Sequence, residues 1–149
     1  MLSKLNADIK NWIDILTDLD RHRLDLFEQN LLNKRIQWFE DNKEVVHKLI
    51  GDDLEKAYQL LLMKLEITKE EAPIIKKTND KIIFYSMNFC PSLEACKILL
   101  LDTRVICKSL LERPTDALIK RINPRLTFTR NYRNIRPYTP YCEEIVLLE

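Results

Sequence analysis

Lys81-Ile-Ile-Phe-Tyr-Ser-Met-Asn-Phe-Cys-Pro91 is the stretch on which the fold turns. Its first seven residues are rich in β-branched and aromatic side chains and read as a strand. Pro91 suits the first position of a helix, and Cys90 stands just before it. The expected helix covers Ser92 to Leu101. Asp102 or Thr103 caps another through about Leu111, and Pro114-Thr115-Asp116 opens a third that ends before Asn123-Pro124. Leu126-Thr-Phe-Thr-Arg130 alternates apolar and polar residues, so it reads as a second strand. Glu144-Ile-Val-Leu-Leu148 reads as a third. The connection between these two carries Pro137 and Pro140 and is rich in Arg and Tyr.

Upstream of this region the periodicity is helical. Leu2, Leu5, Ile9, Trp12, Ile13 and Leu16 recur at three- and four-residue steps and form one stripe, with Ser3 as a candidate cap. A second helix spans about Asp20 to Asp41, with Trp38 and Phe39 among its apolar residues. Val45, Val46, Leu49 and Ile50 continue the pattern to Gly51, which can end it with positive φ. Asp52 or Asp53 caps a helix built on Leu54, Ala57, Tyr58, Leu61, Leu62 and Leu65. Thr68 and Glu71 have capping-box spacing before Pro73. Both tryptophans are expected to be mostly buried.

The composition divides near residue 73. Residues 1–72 hold no proline or cysteine and carry 11 basic against 15 acidic residues, a net −4. Residues 73–149 hold all six prolines and all four cysteines, with 13 basic against 8 acidic residues, a net +5. The expected organisation is a helical segment (1–72) and a cysteine-bearing α+β segment (73–149) in one compact unit. The fold class is α+β: an N-terminal helical bundle packed with a small mixed three-stranded sheet carrying crossover helices. All strands are expected after residue 80. The acidic helical half can pair with another copy of the chain.

Forty-six per cent of the 149 residues are apolar and 32% are charged, a globular composition. The single glycine, Gly51, excludes a P-loop, a dinucleotide fingerprint and a nucleophile elbow, each of which needs several glycines at fixed spacing. No stretch reaches the roughly 18 apolar residues of a membrane span. Met1 to Asp20 is interrupted by charges and does not read as a signal peptide, so a cytoplasmic location is expected. Cysteines there are better read as thiols, ligands or core residues than as disulfides. Lys120, Arg121, Arg125, Arg130, Arg133 and Arg136, interleaved with aromatics, read as a solvated basic segment. The near-neutral net charge of +1 argues against nucleic acid.

The cysteines are Cys90, Cys96, Cys107 and Cys142. Their spacing is not that of a zinc knuckle. Topology says more than spacing. Helices between the first and second strands make those strands parallel, and a loop makes the second and third antiparallel. The ends of the first two strands and the start of the third then share one edge, which gathers Cys90, Arg130 and Cys142. Cys107 lies in the crossover and can face the same edge. A helix N-terminus favours a thiolate at Cys90, the thiol expected to react fastest. Cys96 sits among leucines and is expected to react slowly. Three readings stay open: structural thiols, a ligand, metal or catalytic cluster, and a redox group.

Phe89-Cys90-Pro91, Cys107, Asp116, the run Asn123-Pro-Arg-Leu-Thr-Phe-Thr-Arg130 and Cys142-Glu143 follow one another in a characteristic order. This pattern, over residues 84–148, resembles the C-terminal part of the L-2-amino-thiazoline-4-carboxylic acid hydrolase-like family. The resemblance implies a small-molecule domain that cleaves a C–N or C–S bond in a small ring, or binds such a ligand. In that reading Cys90 or Cys142 attacks a ring amidine carbon while Arg130 holds a substrate carboxylate. Asp116, Glu143 and Glu144 are the candidate bases. The alternative is a thiol-based sensor in which Cys90, Cys107 and Cys142 hold zinc or iron, and a third reading is a non-catalytic interaction module.

Overall fold

A computed structural model describes residues 2–149, apart from the Leu2 side chain. Leu2's place on the first helical stripe therefore lies outside the described residues. The elements are α1 (Leu2–Leu16), α2 (Arg21–Asp41), α3 (Lys43–Val46), α4 (Asp53–Leu65), β1 (Ile74–Lys77) and β2 (Lys81–Ser86), followed by α5 (Pro91–Leu99), α6 (Thr103–Leu110), α7 (Glu112–Ile119), β3 (Leu126–Asn131) and β4 (Cys142–Leu148). None of the described helices is long and apolar enough to cross a membrane.

Local chemistry sets the boundaries. Asp20, Asp52 and Asp102 each cap a helix by accepting a backbone N–H, from Arg23, Glu55 and Arg104 respectively. Gly51 has φ +120°, a backbone region that L side chains rarely adopt. Thr68 and Glu71 form both reciprocal bonds of a capping box, but they close a single turn rather than a helix. Three limits differ from expectation. Ser3 lies inside α1 rather than capping it. The fifth helix stops at Leu99 because Leu100 takes a left-handed conformation (φ 58°). The seventh starts at Glu112, which puts Pro114 in its first turn, where no N–H is needed.

The sheet is four-stranded, in the order β1-β2-β4-β3, and every neighbouring pair is antiparallel. It is not the mixed three-stranded sheet expected from sequence. Two physical reasons account for the difference. β1 has only four residues, all exposed, and so lacks the alternation that marks a strand in sequence. It also lies before residue 80. Further on, β4 returns between β2 and β3. Those two strands do run parallel, but they never pair.

The helices cover one face of this sheet. Paired residues point to the same face, so three rows can be read from the register. Ile82, Val146 and Phe128 form the first row, Phe84, Glu144 and Arg130 the second, and Ser86 and Cys142 the third. Ile82, Phe84, Phe128 and Val146 are buried with Leu54, Leu60 and Leu61 of α4 and Leu118 and Ile119 of α7. Truncating one such leucine typically costs about 2–5 kcal/mol. A second core joins Leu16 of α1 to Ala95, Cys96, Ile106 and Leu110 of α5 and α6. The first-half helices thus pack mainly on second-half elements: α1 on α5, α2 on α6 and α7, α4 on β2 and β4. They do not form a bundle of their own. Trp12 and Trp38 are only partly buried, each flanking one of the two cores.

Candidate functional site

The second and third rows of the sheet place chemistry against the helices. Arg130 and Glu144 are register partners, and Arg130 Nε donates to Glu144 Oε1 at 3.0 Å. Glu144 is 7% exposed. The guanidinium also lies 4.9 Å from the centre of the Phe128 ring, two residues away on the same face. Burial disfavours the charged form of Arg130, but the Glu144 carboxylate outweighs it and the guanidinium pKa is raised. Arg35 of α2 reaches the same cluster and donates to Thr115 Oγ1 on α7. Burial lowers the Arg35 pKa to about 10, and the neighbouring Arg130 charge adds to the effect against the pull of Glu144.

One row further on, Cys142 opposes Ser86 at the end of β2. The chain then runs four residues to Cys90, the N-cap residue of α5, whose Sγ lies 3.1 Å from Ser92 Oγ. Arg136 ties these parts together. Its backbone N–H and its Nε–H point at Cys142 Sγ, at 3.4 and 3.3 Å, and its Nη1 donates to Asn88 O at 2.6 Å. Thr103 Oγ1 of α6 donates to the Arg136 carbonyl at 2.7 Å. Stacking of Tyr85 on Tyr141, with ring centres 3.9 Å apart, pins the end of the same connection.

Cys107 looks onto this end from α6. Burial pushes its thiol up to about 12. Arg130 opposes that, while negative charge at Cys90, Cys142 or Cys96 would push it further. Cys96 is buried, and burial raises its thiol to about 11. All four cysteines are free thiols.

The predicted residues fare differently. Cys142 and Arg130 share one end of the sheet, Arg136 joins Cys142 to the segment before Cys90, and Cys107 neighbours Arg130. Asp116 is engaged elsewhere, where its Oδ1 accepts from Lys120 Nζ and from the Phe128 backbone N–H, both at 2.8 Å. Glu143 accepts from Asn134 Nδ2 at 2.9 Å, and Glu144 is committed to Arg130. Among the described residues, no three His, Cys, Asp or Glu side chains stand where they could hold a metal ion. The zinc or iron set of Cys90, Cys107 and Cys142 is thus not assembled, since Cys142 faces Arg136 and Cys90 faces Ser92.

Sequence reasoning missed Arg35 and Arg136. Arg35 carried a signal: it sits midway between Leu31 and Phe39 on a four-residue spacing, a cation on an apolar stripe. Arg136 carried none, because its role depends on how the connection folds back over Cys142. A groove of about 450 Å³ adjoins that connection, lined by Cys96, Leu100, Leu101, Thr103, Pro137 and Tyr138 among others. A second, of about 410 Å³, lies away from the thiols between α4 and β1. Comparison with protein-family models, curated proteins and solved structures finds no match.

Proposed function

We propose that the chain is a small-molecule-binding domain with hydrolase-like chemistry centred on Cys142. The observation that carries this reading is the pair of Arg136 N–H groups aimed at Cys142 Sγ. Hydrogen bonds and positive charge beside a sulfur are what nucleophilic cysteines use. Cys90 has only a hydroxyl beside it, so Cys142 is the better nucleophile of the two. The neighbouring groove has the size of a small-molecule site. The resemblance of residues 84–148 to the thiazoline-carboxylate hydrolase-like family supplies the substrate class, a cyclic amidine.

In this reading the Cys142 sulfur adds to the ring amidine carbon. A ring C–N or C–S bond then breaks, its electron pair stays on the departing ring atom, and that atom takes a proton. Water displaces the sulfur and restores the thiol. Arg130 is already engaged by Glu144 through Nε, and its Nη1 is buried without a partner among the described residues, so a grip on a substrate carboxylate falls to other groups. The test is chromatographic disappearance of 2-amino-thiazoline-4-carboxylate with the anaerobically purified chain, alongside metal analysis. Turnover that is abolished in Cys142→Ser and retained in Cys96→Ser is expected. No turnover and no saturable binding would defeat the reading. One equivalent of thiol-bound metal would favour the sensor instead.

A further inference from the structure

The buried arginines carry a second conclusion, independent of the thiol chemistry. Arg130 Nη1 is closed off from solvent and has no hydrogen-bond acceptor among the described residues. Its side chain is 12% exposed, and its one carboxylate partner is Glu144, bound through Nε. Arg35 spends its Nη1 on Thr115, a neutral hydroxyl that itself donates to the Leu111 carbonyl at 2.7 Å. Two guanidiniums therefore share one carboxylate.

The other groups facing the cluster do not supply the missing charge. Lys64 of α4 neighbours Arg35 and adds positive charge. Cys107 neighbours Arg130, but burial pushes its thiol up to about 12 and keeps it neutral at pH 7. Glu112 of α7 accepts the hydroxyls of Thr129 and Tyr132, at 2.7 and 3.1 Å, and the Tyr132 hydroxyl in turn stands beside Arg130 as a neutral neighbour. Glu144 meets the Arg130 charge, so the surplus is that of Arg35 beside it; a buried surplus charge is costly, and a small counter-ion offsets it. Neither of the two grooves is lined by Arg130 or Arg35, and the closed-off Nη1 admits only a small occupant.

We infer that the Arg35–Glu144–Arg130 cluster binds a small monovalent anion of halide size at Arg130 Nη1. The test is thermal unfolding of the intact wild-type chain at fixed ionic strength, with sodium gluconate replaced stepwise by sodium chloride. Gluconate is too large to enter. The expected result is a saturable rise in Tm of roughly 3–6 °C. Arg35→Gln removes the surplus charge and should lose at least half of that rise. Chloride-35 line broadening on the wild-type protein needs no variant, and it should saturate and be displaced by bromide. Equal Tm in the two salts, or broadening that neither saturates nor yields to bromide, would overturn the site and leave a water on Nη1. A rise of equal size in Arg35→Gln would also overturn it, as a general salt effect.

Discussion

Cys96 and Cys107 couple folding to pH. Burial raises their thiols to about 11 and about 12, against an ordinary value of 9.0. The folded chain therefore keeps both protons at a pH where the unfolded chain has lost them. The resulting stability is complete below about pH 9, falls as pH rises, and is exhausted once pH passes the folded values. Between pH 9 and 10 each thiol should cost up to about 1.4 kcal/mol of stability per pH unit. Tyr58 and Tyr132, also raised by burial, join in only at higher pH. Urea midpoints measured across this window should fall steeply for the wild type, and the double variant Cys96→Ala/Cys107→Ala should show a flatter slope. Parallel slopes would mean that these thiols are not held protonated by burial.

At the scale of elements, α7 explains how one edge of the sheet is closed. Glu112, Asp116 and Lys120 recur every four residues and line the side of α7 that runs along β3. They engage the Thr129 hydroxyl, the Phe128 N–H and the Leu126 carbonyl in turn. An edge strand offers unpaired backbone groups to other chains, and Asp116 and Lys120 occupy two of them while Glu112 holds a side-chain hydroxyl alongside. The opposite edge, β1, is short, carries Lys76 and Lys77 and has an irregular register, which are common ways of blunting an edge. Asp116→Ala removes the Phe128 acceptor and the Lys120 partner together. It should cost about 1–3 kcal/mol in denaturant unfolding and speed hydrogen exchange at the Phe128 amide. An unchanged Phe128 exchange rate would show that Asp116 does not brace the edge. Sequence alone placed Asp116 among the catalytic candidates, because an acid on a short helix looks the same whether it faces a substrate or a strand. The crossover helices themselves were legible, since proline and aspartate mark their starts. The insertion of β4 between β2 and β3 was not legible, because strand order depends on where a long connection returns.

For the whole molecule, helices from the acidic half pack on elements of the basic half, and Arg35 crosses that division to bond Thr115 within reach of the Arg130 and Glu144 charges. The topology argument brought Cys90, Cys142 and Arg130 to one end using only chain direction, and the register puts Cys142 and Arg130 at the same end of the sheet despite the change in strand order. It could not see Arg136, and so it ranked Cys90 as the reactive thiol. In the proposed reading Cys142 ranks first instead, because Arg136 gives it two N–H donors, while burial withholds Cys96 and Cys107. The most direct measurement is a mass-resolved alkylation time course on the native, anaerobically purified chain at pH 8, run beside Arg136→Gln. Cys142 should be modified first, Cys90 next, and Cys96 and Cys107 last. Arg136→Gln should slow Cys142 by about tenfold without changing Cys90, as loss of one hydrogen bond to a charged sulfur implies. Modification of Cys142 no faster than Cys96, or a Cys142 rate indifferent to Arg136, would contradict the assignment of this end of the sheet as the reactive site.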